Sequence, residues 1–271
     1  MRDSFYERLT FNLCEQRHHY GENVHLVGNP FLLSQLATLC AKGTYQPQVN
    51  QLVVRLYEDL VKMAVNSEFP RKMAAIPTRM IDSTPQGMYQ GVVIDPHVRA
   101  ISVNIARAGT LPSQVTYDLL NNLLTPALVR QDHLIMSRML DDAETVVGSN
   151  IGGAKIGGDI DDAIVLFPDP MGATGGSLST AIKMYKEKVP GKPRKILCLN
   201  LIVTPEYLRR ITKDHPEVVV FALRLDRGLS PPEVFESEPG KFWDQERGLD
   251  DRQYIVPGGG GFGEIMNNAY V

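Results

Sequence analysis

The stretch Ala163 to Ser177, AIVLFPDPMGATGGS, carries the densest chemistry in the chain. An apolar run (Ala163, Ile164, Val165, Leu166, Phe167) leads into a single acid, Asp169, and then into a small-residue turn, Ala173-Thr174-Gly175-Gly176-Ser177. Leu178, Ala181, Ile182, Tyr185 and Val189 follow at helical spacing until Pro190-Gly191 stops the pattern. A glycine-rich turn feeding a helix N-terminus offers unpaired N–H groups and the positive end of the dipole to an anion. Gly175 and Gly176 allow close backbone approach, Thr174 and Ser177 add hydroxyl donors, and Asp169 can accept from sugar hydroxyls. Phosphate at one end and ribose at the other describe a cradle for a ribose 5-phosphate. The alternative for the turn alone is a tight structural corner.

A second stretch near the C-terminus, Tyr254-Ile255-Val256-Pro257-Gly258, runs into Gly259-Gly260-Gly261-Phe262-Gly263-Glu264. Glycines let such a loop set its own N–H and C=O groups against a flat polar edge with no side chain between. A flexible glycine tail is the alternative. Two arginines close apolar runs: Ala100-Ile101-Ser102-Val103 leads to Asn104-Ile105-Ala106-Arg107-Ala108-Gly109, and Ile135-Met136-Ser137 leads to Arg138. Arginine stays charged and forks onto phosphate oxygens, although either residue alone reads as a surface cation. Arg130, in the connection before Arg138, reads as an ordinary solvated cation.

Taken together, these motifs resemble the uracil phosphoribosyltransferase family. DPMGATGGS is similar to its phosphoribosyl pyrophosphate loop and departs from it chiefly at Gly172. YIVPGGGGFGE is similar to its uracil loop, in which backbone groups read the base, and the segments ending at Arg107 and Arg138 resemble its donor-contacting strands. Val24 to Pro30 with Leu32, Leu33, Leu36 and Leu39, Thr204-Pro205-Glu206, His215 to Val218, and Asp226 to Leu229 extend the likeness over most of the chain. Residues 1 to about 23 and 230 to about 253 have no clear counterpart. The resemblance implies transfer of phosphoribosyl from phosphoribosyl pyrophosphate to uracil, giving UMP and pyrophosphate, with Mg2+ bound through the donor. Donor binding would fall to Arg107, Arg138, Asp169, Pro170, Met171, Gly172, Ala173, Thr174, Gly175, Gly176, Ser177 and Gly261. Uracil binding would fall to Ile255, Gly260, Gly261 and Phe262, with no catalytic side chain and no metal ligand named. The likeness also implies a homodimer or higher homo-oligomer.

Departures from the family pattern gather near the expected base loop. Gly261 and Phe262 stand where the family carries aspartate and alanine. The family aspartate works at the donor site, so its loss predicts a weak enzyme that Gly261→Asp would strengthen. Phe262 adds a ring able to stack on, or crowd, the uracil plane. Pro112 brings no N–H to a loop expected to face pyrophosphate. The insertion Ser230–Gln253, with Trp243, is placed to cover the base pocket. These departures leave open a non-catalytic relative that binds phosphoribosyl pyrophosphate or a nucleotide as a sensor, and a transferase for another base.

The elements that must position these residues read as an α/β fold. Apolar runs at Ile101–Ile105, Leu134–Ser137, Ile164–Phe167, Ile196–Val203 and Val218–Leu225 alternate with helices at about Ser177–Val189 and from Thr204 onward. This predicts a parallel-sheet, Rossmann-like phosphoribosyltransferase core with Arg107, Arg138 and Asp169 at the carboxyl ends of strands. Residues 1–97 read as an N-terminal arm and helices, 98–229 as the core with a flap at about 139–160, 230–253 as the insertion, and 254–271 as the base loop and C-terminus, within one domain. Asp159, Asp161 and Asp162 read as solvated turn acids rather than metal ligands. A net charge of −3 and scattered basic residues give no nucleic-acid footprint. No apolar run approaches the ~18 residues of a membrane span. Three widely spaced cysteines, no metal-type pair and no signal-peptide core predict a cytoplasmic protein, with Cys198 a small buried hydrophobe.

Overall fold

The computed structural model describes residues 4–140 and 146–270, without the side chains of 137–140 and 146–149. In chain order the elements are α1 (Ser4–Glu7), β1 (Val24–Leu26), α2 (Pro30–Leu39), α3 (Gln48–Glu68), β2 (Arg71–Pro77), β3 (Met88–Ile94), β4 (Ala100–Ala106), α4 (Thr110–Leu123), β5 (Val129–Leu140) and β6 (Val146–Lys155). There follow β7 (Ile164–Pro168), β8 (Met171–Gly172), α5 (Gly176–Lys188), β9 (Lys195–Val203), α6 (Pro205–Asp214), β10 (Val219–Leu225), α7 (Pro232–Phe235) and α8 (Phe262–Ile265). The main sheet has eight strands in the order β1-β10-β9-β7-β4-β5-β6, with β8 paired beside β9. Every pair is parallel except β5 with β6.

The central strands are apolar at consecutive positions because helices cover both faces of the sheet. In β7, Ile164 and Leu166 pack into the core beneath α2, α3 and α4, while Val165 and Phe167 pack into the core beneath α5 and α6. Helix α3 carries the longest apolar stripe among the described helices: Leu52, Leu56, Leu60 and Ala64 recur on its buried face with Val49, Val53, Tyr57, Val61 and Val65. The Tyr57 hydroxyl donates to Leu199 O at 3.0 Å, which ties this helix to the centre of β9. Cys198 is buried in the same strand, and burial pushes its thiol up to about 12.

Three expectations need correction. The region before residue 98 is not helical throughout: β2 and β3 form a separate antiparallel hairpin from Arg71 to Ile94. Its residues are mostly part-exposed, so they lack the apolar alternation that marks a strand buried on one face. Arg130 is not a solvated cation. It donates from Nε and Nη2 to the fully buried carboxylate of Asp132, at 2.9 and 3.1 Å, and from Nη1 to Asp159 O. Asp132 also accepts from Tyr185 OH and Gly157 N, so this cluster anchors the root of the β5–β6 hairpin to α5. That hairpin is the expected flap; its turn lies outside the described residues. Finally, Pro112 lies in the first turn of α4, where an N–H has no intrahelical acceptor and proline costs no hydrogen bond.

Candidate active site

The carboxyl ends of the parallel strands converge on one edge of the sheet. Strand β7 ends at Pro168, and Asp169 follows immediately, its N–H donating to Leu199 O at 3.1 Å and its carbonyl accepting from Asn200 Nδ2 at 2.7 Å. Its carboxylate accepts from Met171 N at 3.1 Å. The loop is thus held at its acidic end by its own backbone and by β9. Gly172 joins β8 to β9, and a Cβ there would press the Tyr207 ring and Val203 at 3.0 Å. Glycine at this departure from the family pattern makes room for the tyrosine. Tyr207 in turn donates to Asn200 Oδ1 at 2.8 Å, and Thr204 Oγ1 donates to Ala173 O at 2.6 Å.

Gly175 turns the chain into α5 with φ +75°. An L side chain there would be strained, and its Cβ would lie 3.2 Å from Arg210 Cβ and 3.4 Å from Tyr207 Cδ2. Thr174 Oγ1 accepts from Gly176 N at 3.3 Å. The sequence places Thr174, Gly175, Gly176 and Ser177 at the start of a thirteen-residue helix, and the structure does the same. Pro170, Met171 and Ala173 complete the loop.

Strand β4 lies beside β7 and ends at Ala106, so Arg107 and Asp169 follow neighbouring strands. The Ala106–Arg107 peptide bond is cis. Gly109 is required for the turn that follows, since a Cβ would meet Ile105 O at 2.8 Å. Arg107 is part-exposed; its Nη1 donates to Ala269 O at 3.0 Å, and its Nη2 lies 3.8 Å from Glu264 Oε1. A cavity of about 280 Å³ adjoins it, lined by Asn104, Thr110, Gln131 and His133 among others. Arg138 lies in β5 opposite Ser149 of β6, three residues past the partner of Ala106; its side chain lies outside the described residues.

The glycine loop hangs from the end of β10 on one ion pair. Arg224 donates to both oxygens of buried Asp226 at 2.6 and 2.7 Å. Asp226 Oδ2 accepts from Gly258 N at 2.7 Å, and Arg224 Nη2 donates to Gly258 O at 2.9 Å, so the pair grips both polar groups of one glycine. The sequence reading missed this clamp, although an Arg-x-Asp spacing at a strand end, which sets both side chains on one side, was a usable signal. Ile255 is buried and bridges Leu249; Gly260 has φ +83° and backs a cavity of about 370 Å³ shared with Cys40, Lys42 and Tyr45. Burial pushes the Cys40 thiol above its ordinary value.

Two expectations about this loop fail. The Phe262 ring is only 2% exposed and packs into the core, so it does not stack against a ligand. Trp243 does not cover the loop either. Its indole N–H donates to Pro205 O at 3.0 Å and its ring meets Tyr20 edge-on at 4.9 Å. The insertion folds onto His19 and Tyr20 through Pro239 O, which accepts from His19 N, and through buried Glu246, which accepts from Tyr20 OH, Arg227 and Gly240 N. It meets the start of α6 through Trp243 and through Gly248 N, which donates to the Glu206 carboxylate. Only its last part, Gly248–Gln253, approaches the glycine loop, through Val256 N donating to Gly248 O.

The family model for uracil phosphoribosyltransferase matches residues 26–240. The chain belongs to the uracil phosphoribosyltransferase family. It is 28% identical over 245 residues to the uracil phosphoribosyltransferase of Caldanaerobacter subterraneus, covering 90% of this chain and 97% of that protein. With the Variovorax paradoxus uracil phosphoribosyltransferase it shares 30% identity over 77% of this chain and 90% of that one. Among solved structures, the AQ2163 protein of Aquifex aeolicus superposes with a TM-score of 0.68 at 20% identity, over 92% of this chain and 99% of that chain. That likeness is one of fold, and the mostly parallel α/β sheet is the phosphoribosyltransferase core that the motifs imply.

Proposed function

We propose that this chain transfers the 5-phosphoribosyl group of phosphoribosyl pyrophosphate to N1 of uracil, releasing pyrophosphate and forming UMP. The observation that carries the reading is that both loops leave the carboxyl ends of strands in one parallel sheet, β7 and β10, which flank β9. The loop after β7 enters α5 through left-handed Gly175, and the glycine loop is clamped to the end of β10 by Arg224 and Asp226. The first suits a 5-phosphate, with N–H groups of Gly175, Gly176 and Ser177 and the Thr174 hydroxyl as donors and Asp169 toward the ribose. Pro170, Met171, Gly172 and Ala173 shape that cradle. The second suits a base edge read by the backbone of Ile255, Gly260, Gly261 and Phe262, for which the buried Phe262 ring is an anchor.

The reaction needs positioning and charge stabilisation more than a nucleophilic side chain. As the bond from C1 of the ribose to pyrophosphate breaks, its electron pair leaves with the phosphates, and Arg107 with Arg138 stabilises that charge. The anomeric carbon gains oxocarbenium character beside Asp169, and N1 of uracil closes on it, its proton passing to the released pyrophosphate. Magnesium neutralises pyrophosphate when bound. Among the described residues no three carboxylates, histidines or cysteines converge, and the single carboxylates Asp169 and Glu264 suit an ion held chiefly by the donor's phosphates.

The same proposal includes a cytoplasmic homodimer or higher homo-oligomer. Met73, Ile76, Met80 and Ile81 are at least 36% exposed on and beside the β2–β3 hairpin, an apolar face that a second copy would cover. Cys14, Cys40 and Cys198 are all free thiols, in keeping with a reducing compartment. No described helix is long and apolar enough to cross a membrane. Purified protein with magnesium, phosphoribosyl pyrophosphate and a panel of bases tests the activity. UMP and pyrophosphate in equal amounts are expected with uracil. Transfer to another base instead, or donor binding without transfer, overturns the uracil assignment.

A further inference from the structure

Gly261 is the position in the glycine loop where an added side chain would meet a charged group. A Cβ built there would lie 2.0 Å from Glu264 Oε2 and 3.0 Å from Glu264 Cδ. Gly261 caps α8, its carbonyl accepting from Glu264 N and Ile265 N, and Glu264 stands three residues on, the spacing at which a side chain folds back over the cap. The carboxylate of Glu264 therefore fills the volume in which a residue-261 side chain would begin.

The same carboxylate faces Arg107. Glu264 Oε1 is 3.8 Å from Arg107 Nη2, and the two side chains are 32% and 41% exposed. A part-exposed pair at that distance adds little to fold stability. It is also too long for a hydrogen bond, so it takes none of the guanidinium's N–H groups from an incoming phosphate. What it supplies is a fixed negative charge that, with Ala269 O at 3.0 Å, holds the direction of the guanidinium.

We propose that Glu264 is a positioning residue of the donor site, and that its carboxylate does the work of the aspartate this chain lacks at position 261. The inference rests on the transferase reading above. The space over Gly261 takes one carboxylate: an aspartate there would drive the flexible end of Glu264 aside and set two like charges together. The strengthening by Gly261→Asp that the family pattern implies is thereby reversed. Restoring the aspartate lowers activity while Glu264 remains, and recovers it once Glu264 is removed.

The test uses wild type, Glu264→Ala, Glu264→Gln, Gly261→Asp and the double variant Gly261→Asp/Glu264→Ala. Steady-state UMP formation is measured with each substrate varied, alongside calorimetric titration with phosphoribosyl pyrophosphate. Glu264→Ala and Glu264→Gln should each raise the donor KM and Kd about fivefold, with the uracil KM unchanged. Gly261→Asp should lower kcat/KM about tenfold, and the double variant should return to within about twofold of wild type. The proposal is overturned if the single effects multiply in the double variant, if the donor KM ignores Glu264, or if Glu264→Ala tightens donor binding. Wild type that binds donor but makes no UMP would defeat the transferase reading separately; the titrations of the same proteins would still decide the role of Glu264.

Discussion

Substituting Gly175 by alanine divides the phosphate-cradle assignment from a merely structural turn. At φ +75° an L-residue costs about 1–2 kcal/mol that glycine does not. The added Cβ would also sit 3.2 Å from Arg210 Cβ and 3.3 Å from Arg210 Cγ, a contact that the part-exposed arginine can relax. The chain can answer in two ways. If the loop keeps its shape, the strain appears as lost stability, and about 2–4 °C of melting temperature per kcal/mol gives a fall of roughly 2–8 °C for a domain of this size. If Gly175 relaxes to negative φ, stability is kept but the N–H groups at the start of α5 no longer converge, and donor affinity falls at least tenfold. Gly175→Asn separates the two, because asparagine tolerates the left-handed region and should lose less on either readout. Thermal unfolding with and without phosphoribosyl pyrophosphate, plus calorimetric titration, measures both. An alanine variant with wild-type melting temperature and wild-type donor affinity would refute the reasoning.

Arg107→Ala should cost about 2–4 kcal/mol of transition-state stabilisation with little change in melting temperature, read as kcat/KM for the donor. Arg130→Ala should do the reverse, losing about 3 kcal/mol of folding stability because buried Asp132 keeps Tyr185 OH and Gly157 N but no cation, as denaturant unfolding would show. Trp243→Phe removes the bond to Pro205 O and should cost about 1 kcal/mol while leaving the uracil KM and base selectivity unchanged. Burial holds His215 below its ordinary value, where its Nε2 meets Ser179 and its neighbours include Asp214, Lys186 and Glu217. The unfolded chain therefore binds the proton first, so stability should fall as pH drops from about 6.5 toward the lowered folded value and level off below it. Denaturant unfolding across that range should show the slope in wild type and a shallower one in His215→Gln, where His18, also held below its ordinary value by burial, keeps its own share.

The donor cradle was legible because its chemistry is local. A strand, an acid, a glycine turn and a helix follow one another within Ala163–Ser177, and the glycines declare the backbone they permit. The parallel sheet was legible for a similar reason, since β4, β7, β9 and β10 are buried almost throughout and most of their residues are apolar. The β2–β3 hairpin was not, because its residues are mostly part-exposed and a ten-residue link hides their pairing.

By itself the sequence determined the fold class, the order of the strands' loops and the two glycine-rich turns. Only the tertiary structure decided what the intervening charges do. Arg130 reads like any cation until Asp132, buried two residues on, is seen to need it. Arg224 and Asp226 become a clamp only when Gly258, more than thirty residues later, returns between them. Phe262 reads in sequence as a ring to stack on, or crowd, a base and Trp243 as part of a cover, and the packing turns both away, one into the core and one against Tyr20. Residue type sets what a side chain can do, but burial and the partners brought from distant sequence set which of those things it does, and both depend on how the whole chain closes.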